Sequence, residues 1–243
     1  MNTVKRASLP PAAESAINRI KAEHRALACI LGAIQVLVAR YREPDTAPDF
    51  ELLDLMLRYI ENVPDRLHHP KEDQVLFPPI ALRAGDGKAL VHELERDHAR
   101  GAPMLTDLRN AFRVFREGGV NALNQLSTAA DEFTEFYSYH MRKEEQQLLP
   151  MAAATLSQEE WQRVDSAFSN NTDPLFDAKL TDEYHRLYEH ITELTPRYLK
   201  SLLESASIKS NARDRIPTRR TKTRNRLLKL CCYATARLKT PRA

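Results

Sequence analysis

The sequence predicts an all-α protein built on an up-down four-helix bundle, and three observations carry that expectation. Glycine is scarce, with only six in 243 residues, four of them in two pairs, Gly85/Gly87 and Gly118/Gly119. Four long segments between the breaks repeat apolar residues at spacings of three and four, the period of one helix face. The connections are short, which in a helical chain sets consecutive segments side by side and antiparallel.

The first segment runs from about Pro11 to Arg40, with Ile17, Ile20, Leu27, Leu31 and Ile34 on one face. Pro44 and Pro48 punctuate the chain after it. The second, about Pro48 to Leu82, carries Leu52, Leu53, Met56, Tyr59, Ile60, Val63 and Leu67 in the same rhythm. Pro64 and Pro70 fall inside it. Each removes a backbone donor and crowds the carbonyl four residues earlier, so kinks are expected there, not a break. The third segment covers roughly Asp86 to Arg116 and the fourth Val120 to Ala154. Together they define a unit over residues 10–155.

Two further regions follow. Ser157 and Glu160 have capping-box spacing and predict a short helix. The stretch Thr181 to Glu204, interrupted by Pro196, reads as one or two more, and residues 156–204 are expected to dock on the bundle. Residues 205–243 read as a disordered tail. From Lys209 onward twelve Lys and Arg oppose the single Asp214, whereas the rest of the chain is net acidic. Such a tail is either an anchor for nucleic acid or an anionic membrane, or a solvated extension. The second reading is preferred, because apart from Tyr233 the tail has none of the stacking aromatics of single-strand binders.

A hydrophobic content of 42% is enough for a core. No run of about eighteen apolar residues occurs, and the first residues lack the apolar stretch of a secretory signal. Cys29, Cys231 and Cys232 form neither a disulfide framework nor a zinc spacing. A cytoplasmic protein is the expectation.

The chemistry lies in an internal repeat. HHPKEDQVLFP, residues 68 to 78, matches HMRKEEQQLLP, residues 140 to 150, at six of eleven positions without a gap. Each follows a helix with one isolated histidine, in KAEHRAL at His24 and ERDHARG at His98, 44 and 42 residues earlier. The chain therefore reads as two related helical hairpins. Four residues turn a helix through about 400°, so His68 and Glu72 project from one face, as do His140 and Glu144. Four packed helices then aim four imidazoles and two carboxylates at one interior point, the arrangement of a dinuclear metal site in a bundle core. Imidazoles suit iron, zinc and copper, and the lack of cysteine in the set argues against structural zinc.

The pattern H…HxxxE…H…HxxxE resembles the hemerythrin superfamily, in its bacterial HHE cation-binding branch, over about residues 10 to 155. The invertebrate oxygen carriers differ: they have an HxxxH pair in the third helix, where this chain has Leu94, and an aspartate where Glu144 stands. The resemblance implies two iron ions in a non-haem centre bridged by carboxylate and by an oxo or hydroxo group. Its terminal ligands would be His24, His68, His98 and His140, and its bridges Glu72 and Glu144. Two octahedral irons offer about twelve positions, of which this set leaves roughly two open. Some relatives use the residue after the first histidine of HxxxE, so His69 is either a fifth ligand or, in the preferred reading, a polar rim residue.

The remaining residues near the motifs have plainer readings. His92 is expected at the surface, as are His185 and His190. Glu95 is an exposed ion-pair residue or a partner that orients His98. Asp73 and Glu145, about 100° around the helix from the bridging glutamates, are expected to leave metal binding nearly unaffected. Phe133, Phe136, Tyr137, Leu27 and Leu31 are core residues or a dry wall around a small ligand, and Gly101 is a possible opening beside His98. The expected function is binding of dioxygen, nitric oxide or iron itself, in sensing, stress defence or storage. The alternative is a redox enzyme acting on peroxide or nitric oxide, and a third reading keeps the site structural only.

Overall fold

A computed structural model describes residues 9–119, 121–169 and 187. The expectations for the later helices, for His185 and His190 and for the basic tail lie outside the described residues. The described residues form five helices and no strand: α1 (Pro11–Arg40), α2 (50–83), α3 (Gly87–Arg116), α4 (122–155) and α5 (Gln158–Ser169).

Local chemistry sets the boundaries. Proline at the first position starts α1, where its missing N–H is not needed. Asp49 caps α2, its side chain accepting from the Leu52 N–H at 2.9 Å. Gly118 (φ 76°) and Asn121 (φ 58°) take left-handed conformations in the turn between α3 and α4. At α5, Ser157 N–H donates to Glu160 Oε2 at 2.7 Å while Glu160 N–H donates to Ser157 Oγ at 3.3 Å, closing the capping box.

Helices α2 and α4 are not regular throughout. In α2 the stretches Glu61–His68 and Glu72–Leu76 are π-helical, and in α4 Glu144–Leu148 is. Pro64, Pro70, Pro78 and Pro150 cannot donate to the carbonyls of Ile60, Arg66, Gln74 and Gln146. Instead of a sharp kink, the chain shifts to bonds one residue longer: His69 N–H to the Pro64 carbonyl, Phe77 N–H to Glu72 and Leu149 N–H to Glu144. Proline alone is not sufficient, because Pro103 sits inside α3 within ordinary α-helix. The π turn also corrects one expectation. Leu67, counted with the apolar face, is 37% exposed, while the next two residues, His68 and His69, are both buried.

The core is split in two. One apolar cluster gathers Leu27, Leu31, Leu53, Ile60, Leu108, Leu126 and Phe133. The other joins Ile20 from early α1, Phe77 and Ile80 from late α2, Leu94 from early α3, and Leu148 from late α4. Trp161, Val164 and Phe168 of α5 complete it. Along every long helix the metal-type residues fall between these clusters, so they form a polar layer with a dry wall on each side. α1 alone among the described helices is long and apolar enough to span a bilayer, with mean hydropathy 1.4; 61% of that stretch is buried within the fold, as in a core helix.

Candidate metal centre

The helices bring all six residues of the repeat pattern together, and His69 with them. His24, His68, His69, His140, Glu72 and Glu144 are buried. His98 is nearly so, at 6% side-chain exposure. His24 Nε2 lies 3.2 Å from His68 Nε2, and His98 Nε2 lies 3.1 Å from His140 Nε2. These are two imidazole pairs, one per hairpin.

The two glutamates divide their oxygens between the pairs. Glu144 Oε2 is 3.2 Å from His24 Nε2, and its Oε1 is 3.2 Å from His140 Nε2. Glu72 Oε1 is 3.3 Å from His68 Nε2, and its Oε2 is 3.5 Å from His98 Nε2. None of these four oxygens has a hydrogen-bond partner among the described residues. Burying a lone carboxylate costs on the order of tens of kcal/mol in a dry medium, so two together require positive charge among them. The donors fit cations: His24, His68 and Glu72 form one compact group, and Glu72, His98, His140 and Glu144 another, with ligand atoms within 4.8 Å of one another.

Protonation follows the same logic. Burial by itself lowers the His98 imidazole, but Asp73 and Glu144 carry it up to about 10. His140 rises to about 9 against the same burial, through Glu144 and Asp97. Glu144 and Glu145 likewise raise His24 over the effect of burial, and Glu72 and Glu23 raise His68 well above its ordinary value. Burial pushes the Glu144 carboxyl up, but the surrounding His140, His24 and His98 hold it well below the usual range. Without a cation, protons on the imidazoles balance the carboxylates.

His69 behaves differently. Burial and the neighbouring His98, His68 and His140 hold it well below its ordinary value, which leaves a neutral ring with a lone pair to offer. It is 6% exposed, stacks on His98 at 4.2 Å between ring centroids, and forms a third compact group with His98 and His140. The rim position expected for it is therefore corrected. Two consecutive residues turn inward because the short α-helical turn His69–Lys71 lies between two π stretches.

Four carboxylates that sequence reading missed or set aside stand outside the imidazoles. Glu23 Oε2 is 2.5 Å from His68 Nδ1, Asp73 Oδ1 is 2.7 Å from His98 Nδ1, and Glu145 Oε1 is 3.1 Å from His24 Nδ1. Asp97 Oδ2 stands 3.6 Å from His140 Nδ1. The signal was in the repeat: an acid precedes each isolated histidine, and an acid follows each bridging glutamate. Glu95 is not among them, since it pairs with exposed His92 at 3.0 Å. Gly101 is no opening either, because a Cβ there would collide with the Tyr137 hydroxyl. Tyr137 O–H in turn donates to Asp65 at 2.9 Å, and Asp65 faces His69 Nδ1 at 3.5 Å.

Phe77 stacks on His98 and Phe168 meets His68 edge-on, closing one side of the layer. On the other side a small cleft, with room for about one water-sized guest, reaches His24, His68, His69, His140 and Glu144 past Leu27, Tyr59, Val63 and Met141.

Described residues that are helical throughout their regular structure, with paired HxxxE motifs facing two further histidines, define a cation-binding helical domain. The family profile described as Hemerythrin HHE cation binding domain matches residues 11–152, and the chain belongs to that family. Comparison with curated proteins returned no significant match.

Proposed function

We propose that the protein is a non-haem di-iron protein that binds a small diatomic ligand, dioxygen or nitric oxide, for sensing or stress defence, or that stores iron. The observation that carries this reading is the division of Glu72 and Glu144, each with one oxygen toward each imidazole pair. Helices α1 to α4 act as an up-down four-helix bundle around the centre.

In this reading His24 and His68 would hold one ion and His69, His98 and His140 the other, and Glu72 and Glu144 would offer one oxygen to each. The two ions would supply electrons to, and reversible attachment of, the small ligand. The chain's own residues do the rest. With a shared oxo or hydroxo group taking two, five imidazoles and two bridging carboxylates would leave about one of the roughly twelve octahedral positions open. The cleft reaches histidines of both groups, His24 and His68 of one and His69 and His140 of the other, and its Leu27, Val63 and Met141 exclude bulk water and favour an uncharged guest.

The test is anaerobic optical titration of the iron-loaded protein with oxygen, nitric oxide and peroxide. The reading predicts a ligand-dependent charge-transfer band that reverses when ligand is removed. Continuous consumption of peroxide or nitric oxide would instead establish the redox enzyme.

A further inference from the structure

We propose that Glu23, Asp73, Glu145 and Asp97 are positioning residues that fix which nitrogen each histidine presents to the metals; the inference rests on the di-iron reading above. In all four isolated or motif histidines Nδ1 faces a carboxylate and Nε2 faces the interior. A carboxylate accepts the Nδ1–H, which leaves the lone pair on Nε2 and makes that nitrogen the better ligand. His69 Nδ1 stands 3.5 Å from Asp65 Oδ1.

The arrangement crosses helices in a closed ring. Glu145 of α4 holds His24 of α1, and Glu23 of α1 holds His68 of α2. Asp73 of α2 holds His98 of α3, and Asp97 of α3 faces His140 of α4. Three of the four adjacent helix pairs thus contribute a hydrogen bond that sets the tautomer of His24, His68 or His98, while at the fourth the Asp97 carboxylate stands 3.6 Å from His140 Nδ1, beyond hydrogen-bond distance. The ring also grades the four. Asp97 is shared, because Lys143 Nζ lies 2.7 Å from the same Oδ2 that stands 3.6 Å from His140. Asp73 serves His98 at 2.7 Å and is the strongest test case.

Cobalt(II) is the probe, with retention measured by chelator competition and geometry by its visible absorption. The full-length chain and its Asp73→Ala, Asp73→Asn, Glu145→Ala, Glu145→Gln, Asp97→Ala and Glu95→Ala variants are compared. Asp73→Ala and Glu145→Ala are expected to lose metal about 10- to 100-fold more readily, with a changed cobalt spectrum. Asn or Gln, whose side-chain oxygen still accepts Nδ1–H, should recover part of the loss. Asp97→Ala should fall between these and Glu95→Ala, which should match the unmodified chain. If Asp73→Ala and Glu145→Ala keep cobalt as tightly as the loaded unmodified chain, or if Asn and Gln do no better than Ala, the positioning role is wrong while the metal reading stands. An unmodified chain that takes up no cobalt overturns both.

Discussion

His69 and Met141 hold the same place in the repeat, and they make the two halves of the centre unlike. His69 joins His98 and His140, adding a third imidazole to their group. Met141 lines the cleft that His24, His68, His69 and His140 share, where it offers only an apolar wall. Charge diverges as well. Lys143 is buried and reaches both Glu93 and Asp97 at 2.7 Å, which holds Asp97 back from His140. Its counterpart Lys71 is only half-buried, and Glu23 lies 2.5 Å from His68 Nδ1. The repeat preserves the inner histidines and glutamates and leaves their surroundings free to differ: one group has a third imidazole and a buried lysine beside it, the other has neither.

The strongest way to break this comparison is to remove a bridge. Glu72→Ala and Glu144→Ala each strip an oxygen from both groups and leave two cations with half their compensating carboxylate. Metal analysis should show that both variants lose most of their metal. Retention of the full content by either one means that the glutamates are not equivalent bridges.

Next in size is the position that separates the halves. His69→Ala should empty the group of His98 and His140 in preference to the other, giving about one metal per chain where the unmodified protein holds about two. Met141→His should keep both metals and lose most of its affinity for azide or nitric oxide, because the new imidazole fills the cleft. Undiminished ligand binding by Met141→His would place the open position elsewhere.

A smaller, graded effect comes from protons. In metal-free protein the neighbouring carboxylates raise His98 to about 10 and His140 to about 9 against burial, so a cation must displace protons from this pair. Metal affinity should therefore rise with pH up to about 10. For metal-free protein the sign is opposite. Folded-state values above the unfolded value of about 6.5 contribute stability that is fully present below about 6.5 and is lost as pH rises through 9 and 10. Thermal melts of metal-free protein should fall across that window, and a flat profile would contradict the buried imidazolium–carboxylate pairs.

Much of this was legible from residues alone. That His24, His68, Glu72, His98, His140 and Glu144 come together follows from helical spacing and the repeat, and the glycine pairs locate the turns. What failed was extrapolation at about 100° per residue past Glu72 and Glu144. Both glutamates begin π stretches, so Asp73 and Glu145 come to face His98 and His24 instead of leaving the site, and Leu67 turns out while His69 turns in. The prolines four residues beyond the affected carbonyls announced a disturbed hydrogen-bond pattern, but not that the helix would absorb it by longer bonds. Gly101 was misread for a different reason: its partner, the Tyr137 hydroxyl, comes from another helix and leaves no trace in local sequence.

The central claim is that two cations share Glu72 and Glu144, and iron content tests it most directly. Protein loaded with iron(II) under anaerobic conditions, then freed of excess metal, should retain about two irons per chain, with an iron–iron distance short enough for one carboxylate to span by X-ray absorption. No retained iron, or a single zinc per chain after loading with ample iron, would contradict it.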